Sequence, residues 1–106
     1  MVSINDIQDF SKRLVECYKP DKVIIFGSRA RGKAGRDSDV DILVLMPKEG
    51  DSVQLPVDMR LRLNPRFPLD LMVVSSKRFR KRVRAGDSFL REIDEEGKVL
   101  YEAPHR

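Results

Sequence analysis

Three aspartates and one Gly-Ser step are the residues of this 106-residue chain whose types and spacing could do chemistry. Gly27-Ser28 is followed, after ten residues, by Asp39-Val40-Asp41, and Asp70 stands alone inside the apolar run Leu69-Asp70-Leu71-Met72-Val73-Val74. Side chains alternate along a strand, so Asp39 and Asp41 point to one side, about 6.7 Å apart, and can converge on one or two divalent ions. An acid inside an apolar strand is costly to bury unless something pairs with it. If the strand of Asp70 lies beside that of Asp41, Asp70 points into the same metal site. Gly27-Ser28 offers backbone N–H groups and a hydroxyl to an anion. Phosphate donors beside paired carboxylates are the parts of a site that handles a nucleoside triphosphate. The plainer alternative is a solvated strand start at Asp39 and Asp41 and an exposed Asp70, since an Asp-x-Asp pair alone is common.

These residues need strands to hold them, and the chain supplies the pattern. Val23-Ile24-Ile25-Phe26 leads into Gly27, and Ile42-Leu43-Val44-Leu45-Met46 leaves Asp41. This predicts strands at 22–26 and 39–46, joined by a turn and loop over 27–38. Residues 3–18 read as an amphipathic helix with apolar positions Ile4, Ile7, Phe10, Leu14 and Cys17 or Tyr18, capped by Ser3 with Asp6 and ended by Lys19-Pro20-Asp21. Val57 and Leu61 suggest a short helix with Pro56 in its first turn. Residues 64–68 are irregular, and a third strand covers 69–74. Two helical pieces, 76–85 and 87–96, break near Gly86, with Phe79, Val83, Phe89, Leu90 and Ile93 as their apolar, core-facing positions. Gly97 suits a helix C-terminus, and Lys98–Tyr101 a short last strand. Helices against a small sheet make an α/β or α+β fold, expected as one domain over residues 1–106.

Composition narrows the function classes. Hydrophobic residues are 41% and charged residues 36% of the chain, and no apolar run approaches the roughly 18 residues that a membrane span needs. The N-terminus lacks the basic and apolar regions of a secretory signal. One cysteine, Cys17, read as small and half-buried, excludes an internal disulfide, and a reducing, cytoplasmic setting is expected. The only histidine is His105, so a histidine base or a His/Cys zinc cage has little to work with. The net charge is +4, yet residues 77–91 alone carry an excess of six positive charges. That block suggests an acidic partner or a polyanion, although most basic faces are simply solvated.

Phe26-Gly27-Ser28-Arg29-Ala30-Arg31-Gly32, followed by Ser38-Asp39-Val40-Asp41-Ile42-Leu43-Val44, resembles the signature of the minimal nucleotidyltransferases of the DNA polymerase β-like superfamily. The leading helix, Leu69-Asp70-Leu71 and the closing Glu96–Glu102 extend the resemblance over most of the chain, residues 47–68 least. It implies a small mixed sheet flanked by helices and a site with two Mg²⁺ ions. Asp39 and Asp41 would ligate both metals, and Asp70 would ligate one beside the attacking hydroxyl. Gly27 and Ser28 would hold the triphosphate of ATP. On the residues alone, Arg29 and Arg31 could reach phosphate or the partner, or merely be solvated. The reaction would be in-line transfer of AMP with pyrophosphate leaving, chemistry that two metals support without a histidine. Family members paired with a helical HEPN ribonuclease toxin imply an antitoxin that adenylylates a tyrosine of that partner in a hetero-oligomer.

Rivals remain open on the residues alone. Gly27 to Ala34 is one residue short of a P-loop, because Ala34 stands where Ser or Thr should hold Mg²⁺ and no long helix is expected to follow. No Gly-x-Gly is present for a dinucleotide fingerprint. A binding module that neutralises its partner without catalysis, or a transferase acting on a small molecule or RNA, would use the same fold. Nucleic acid is not expected but could be met through the basic residues 77–84.

Overall fold

The computed structural model describes residues 3–27, 30, 39–50 and 54–104. In chain order the elements are α1 (Ile4–Tyr18), β1 (Lys22–Phe26), β2 (Val40–Met46), α2 (Gln54–Leu63), β3 (Leu69–Ser75), α3 (Ser76–Arg84), α4 (Ser88–Glu96) and β4 (Lys98–Glu102). The four strands form one sheet in the order β3-β2-β1-β4. β1 pairs antiparallel with both β2 and β4, while β2 and β3 run parallel. A parallel pair needs a crossover, and α2 lies within it. The sheet is therefore mixed and flanked by helices, as expected.

Alternation along the strands builds a core on each face. Val23, Ile25, Val40, Ile42, Val44, Leu69, Leu71 and Val73 pack with Ile7, Phe10 and Leu14 of α1 and Met59 and Leu63 of α2. Ile24, Phe26, Leu43 and Leu45 pack with Phe79 of α3 and with Leu90 and Ile93 of α4. β1 and β2 are buried on both faces, which is why they read as unbroken apolar runs. β3 alternates between buried and exposed residues, as suits an edge strand. Asp41 shares the parity of Leu43 and Leu45, and Asp70 that of Met72 and Val74, so both acids look toward the α3–α4 side.

Capping fixes where the helices begin. Ser3 and Asp6 form a reciprocal capping box on α1, Ser75 caps α3 through the Arg78 N–H, and Asp87 caps α4 through the Leu90 N–H. Lys19, at φ 51°, closes α1 in a left-handed turn.

The helical faces depart from expectation at several positions. Cys17 is exposed, not half-buried, and Ile4 is exposed as well, because α1 meets the sheet along Ile7, Phe10, Ser11 and Leu14. In α2 the buried residues are Met59 and Leu63, while Val57 and Leu61 point outward. β2 starts at Val40, one residue after the expected Asp39. Phe79 is core as expected, but Phe89 is not, being 47% exposed.

Candidate active site

The turn after β1 and the start of β2 meet at Gly27 and Asp41. Phe26 is the register partner of Asp41, so Gly27 follows directly beside the carboxylate. Gly27 has φ 77°, a conformation that side chains disfavour, and a Cβ built on it would lie 2.4 Å from Asp41 Oδ2. Glycine is required here twice over, once by the turn and once by the acid.

Asp41 and Asp70 are register partners across the parallel β2–β3 pair. Neighbouring strands lie about 4.8 Å apart, so two carboxylates on the same side of that pair are close like charges. The expected adjacency of the two strands is thus present. Asp41 is partly buried and Asp70 exposed. Burial first, then the charge of Asp70, then that of Asp39, push the Asp41 carboxyl above the usual aspartate range. Asp39 is exposed and precedes β2, near enough to act on Asp41 through space.

A cavity of about 300 Å³ opens over this pair, lined by Phe26, Gly27, Asp41, Asp70, Met72, Phe89, Glu92, Ile93, Glu96 and Gly97. Of the site residues expected from the sequence, it gathers Gly27, Asp41 and Asp70, and Asp39 lies outside its lining. Ser28, Arg29 and Arg31 lie outside the described residues. One wall comes from α4, which sequence reasoning assigned only to packing. Phe89, Glu92 and Glu96 recur at helical spacing on one face, a signal that is legible only once the helix is known to lie over the acids. Gly97 lets this helix end rest directly on β1, because a Cβ there would meet Ile93 O at 2.5 Å and Ile24 Cγ2 at 2.6 Å.

The carboxylates offer hard oxygen donors of the kind that Mg²⁺ takes. Among the described residues no three acidic, histidine or cysteine side chains already converge as a metal cage. A cation between the acids would relieve the repulsion that raises Asp41, and in that respect the pair fits the ion.

Comparison with known proteins identifies the family. The nucleotidyltransferase domain family matches residues 7–103. A Methanocaldococcus jannaschii protein, MJ0604, provisionally named a protein adenylyltransferase, is 35% identical over 97 residues, covering 90% of this chain and 94% of the relative. The fold is shared with a crystal structure from Sulfolobus solfataricus provisionally described as a nucleotidyltransferase, at a TM-score of 0.65 and 23% identity over 92% of this chain and 78% of that one. It is shared too with a toxin–antitoxin crystallised with AMP-PNP, at a TM-score of 0.60 and 22% identity over 91% and 73% of the two chains. A mutant of the toxin–antitoxin MntA-HpeT matches at a TM-score of 0.58 and 20% identity, again over 91% and 73%. The family match, with β1 and β2 antiparallel, speaks against the P-loop and dinucleotide alternatives. The chain belongs to the nucleotidyltransferase domain family and is a nucleotidyltransferase, as its resemblance to the minimal members implied.

Proposed function

We propose that this nucleotidyltransferase moves AMP from ATP to a tyrosine hydroxyl of a HEPN-type toxin and so acts as the antitoxin of the pair. The observation that carries the reading is Asp41 opposite Asp70, with Gly27 held against the Asp41 carboxylate, at the floor of an open cavity. The name of the 35% identical relative supports a protein acceptor, and the shared fold of the toxin–antitoxin structures supports a toxin partner.

Asp39 and Asp41 would hold two Mg²⁺ ions and Asp70 one of them. Bound there, the ions supply charge neutralisation at the attacking and leaving oxygens. Gly27 presents a backbone donor to the triphosphate, and the family resemblance assigns Ser28 the same task; Ser28, Arg29 and Arg31 lie outside the described residues. Asp70, exposed on the edge strand, orients the acceptor hydroxyl and takes up its proton. The phenolic oxygen bonds to the α-phosphorus, the bond from that phosphorus to the bridging oxygen breaks, and pyrophosphate departs. A small domain gains from a bound partner the orientation that such a displacement requires.

The test is to incubate the chain with Mg²⁺, ATP and the protein encoded beside it. Intact mass should show whole AMP units on that protein, mapping to tyrosine, and pyrophosphate in equal amount. Complex formation without AMP transfer under any nucleotide would make the chain a binding module instead.

A further inference from the structure

We propose that the exposed face of α3 binds the phosphodiester backbone of a nucleic-acid duplex, through Lys77, Arg78, Lys81, Arg82 and Arg84. The inference goes beyond the proposed function and uses none of its site residues.

The face is strongly one-signed. α3 carries six Lys or Arg among its nine residues and no acid, while the rest of the chain is net acidic. Ser76 and Phe79 are buried and Val83 is half-buried, whereas all six cations are exposed. Lys77, Lys81 and Arg84 share one outward stripe, with Arg78 and Arg82 in the stripe beside it. Arg80 is set apart on the other flank, in a hollow that it lines with Asp21, Asp94 and Glu102.

Little on the protein neutralises these charges. Among the described residues, the ion pair that α3 makes is that of Arg82 with Asp87, at 3.8 Å. Glu49 shares a recess with Lys48 and Arg78, but it accepts the Ser75 hydroxyl at 2.5 Å. Arg91 of α4 donates to the Val83 carbonyl and adds a further cation at the end of the helix. Like charges one turn apart cost helix stability, so folding does not explain the cluster.

Two features favour nucleic acid over an acidic protein surface. Protein interfaces have an apolar or aromatic centre from which charge is depleted, whereas nucleic-acid interfaces are much more positively charged. Among the described residues, none of the exposed large hydrophobics is on α3. That absence also speaks against a single strand, which proteins hold by stacking its bases on exposed rings. Charge density matches as well. Lys77 to Arg84 spans about 10 Å of helix axis, and a duplex presents one charge per about 1.7 Å of its own axis. Four or five phosphates can therefore be met at once, without any reading of sequence. α3 starts beyond Ser75, at the end of β3 away from Asp70, about 16 Å along the strand.

The test measures binding of a short fluorescent RNA duplex and of its DNA counterpart to the full chain, by anisotropy over a salt series. The logarithm of affinity should fall against that of salt with a slope of about −4, and a scrambled sequence should bind alike. Lys77→Gln/Lys81→Gln should reduce the slope by about 2 and weaken binding about 10- to 100-fold at about 0.1 M salt. Lys12→Gln/Lys98→Gln removes the same charge from other elements and should change affinity less than about threefold. Gln is a good helix former, so circular dichroism should show both variants folded. Binding of either duplex on these terms upholds the proposal. Equal losses in the two variants would overturn it, reducing the effect to overall charge. Tighter binding of poly-L-glutamate than of either duplex would overturn it in favour of an acidic protein. No duplex binding at the lowest salt would overturn it outright, with AMP transfer and the proposed function untouched.

Discussion

Gly27 leaves no room for a side chain beneath Asp41: a methyl group at Gly27 would lie 2.4 Å from the Asp41 Oδ2 atom. Gly27→Ala must therefore displace a carboxylate at the centre of the candidate site and strain a backbone at φ 77°. The strain alone should cost about 1–2 kcal/mol of stability. Nucleotidyl transfer should fall about 10- to 100-fold, since an ångström of misplacement at a reacting centre has effects of that order. Chemical denaturation and initial rates separate the two effects. Full activity in a folded Ala variant would mean that Asp41 need not stand where it does.

Asp41 is an acid held partly against its own charge. Its carboxyl titrates above the usual range, so the folded state binds more protons than the unfolded chain just above the ordinary aspartate value. The stability this gives is present below that ordinary value and is lost as pH rises through the raised one. Asp41→Asn is neutral at every pH, so in EDTA it should melt at or above the wild-type temperature at pH 7. The advantage should shrink as both proteins are brought toward pH 4. A variant several degrees less stable at pH 7 would show that the carboxylate is structural.

Asp70 should part company with Asp41 in binding. Asp41 is partly buried on an interior strand beside Gly27, whereas Asp70 is exposed on the edge strand. Asp70→Asn should lose most of the transfer activity yet keep more Mg²⁺–ATP affinity than Asp41→Asn. Calorimetric titration of Mg²⁺–ATP into each variant checks this, and equal losses would remove the separate role of Asp70.

The α3 helix repels itself. Lys77 and Lys81, Arg78 and Arg82, and Arg80 and Arg84 are like-charge pairs one turn apart, and Lys77 sits in the first turn where the helix dipole favours acid. Lys77→Glu reverses both penalties and should raise the melting temperature by about 2–4 °C. If this face docks an acidic partner, the same substitution should weaken the complex more at low salt than at high salt, with Mg²⁺–ATP affinity unchanged. A stability gain without loss of complex would leave the face as merely solvated.

The elements were legible because Gly and Pro punctuate the chain between clear periodic runs. The unbroken apolar character of Val23–Phe26 and Ile42–Leu45 followed from burial on both faces, and Asp70 stood out because the run 69–74 is otherwise apolar. Gly27, Asp41 and Asp70 were therefore visible as a set before their register was known. Phe89 was misread because an apolar residue beside Leu90 and Ile93 looks like core, and only the placement of α4 over the acids turns it to the cavity. Val57, Leu61 and Cys17 failed for the same reason: periodicity fixes a helix but not which of its adjacent stripes meets the sheet. Gly97 carried no sequence signal beyond a helix end, since its need for a bare Cα comes from Ile24 across the interface.

The sheet gives the two acids unlike mountings. Asp41 is borne by a strand clamped between two neighbours and two cores, while Asp70 rides on β3, which has a strand on one flank only among the described residues. The site is built like a bench vice with one fixed jaw and one at the open end of the bench. Among the described residues, a bulky workpiece can be offered from the side. Such a layout would suit the protein acceptor proposed above, which could meet Asp70 without reaching past the fixed jaw.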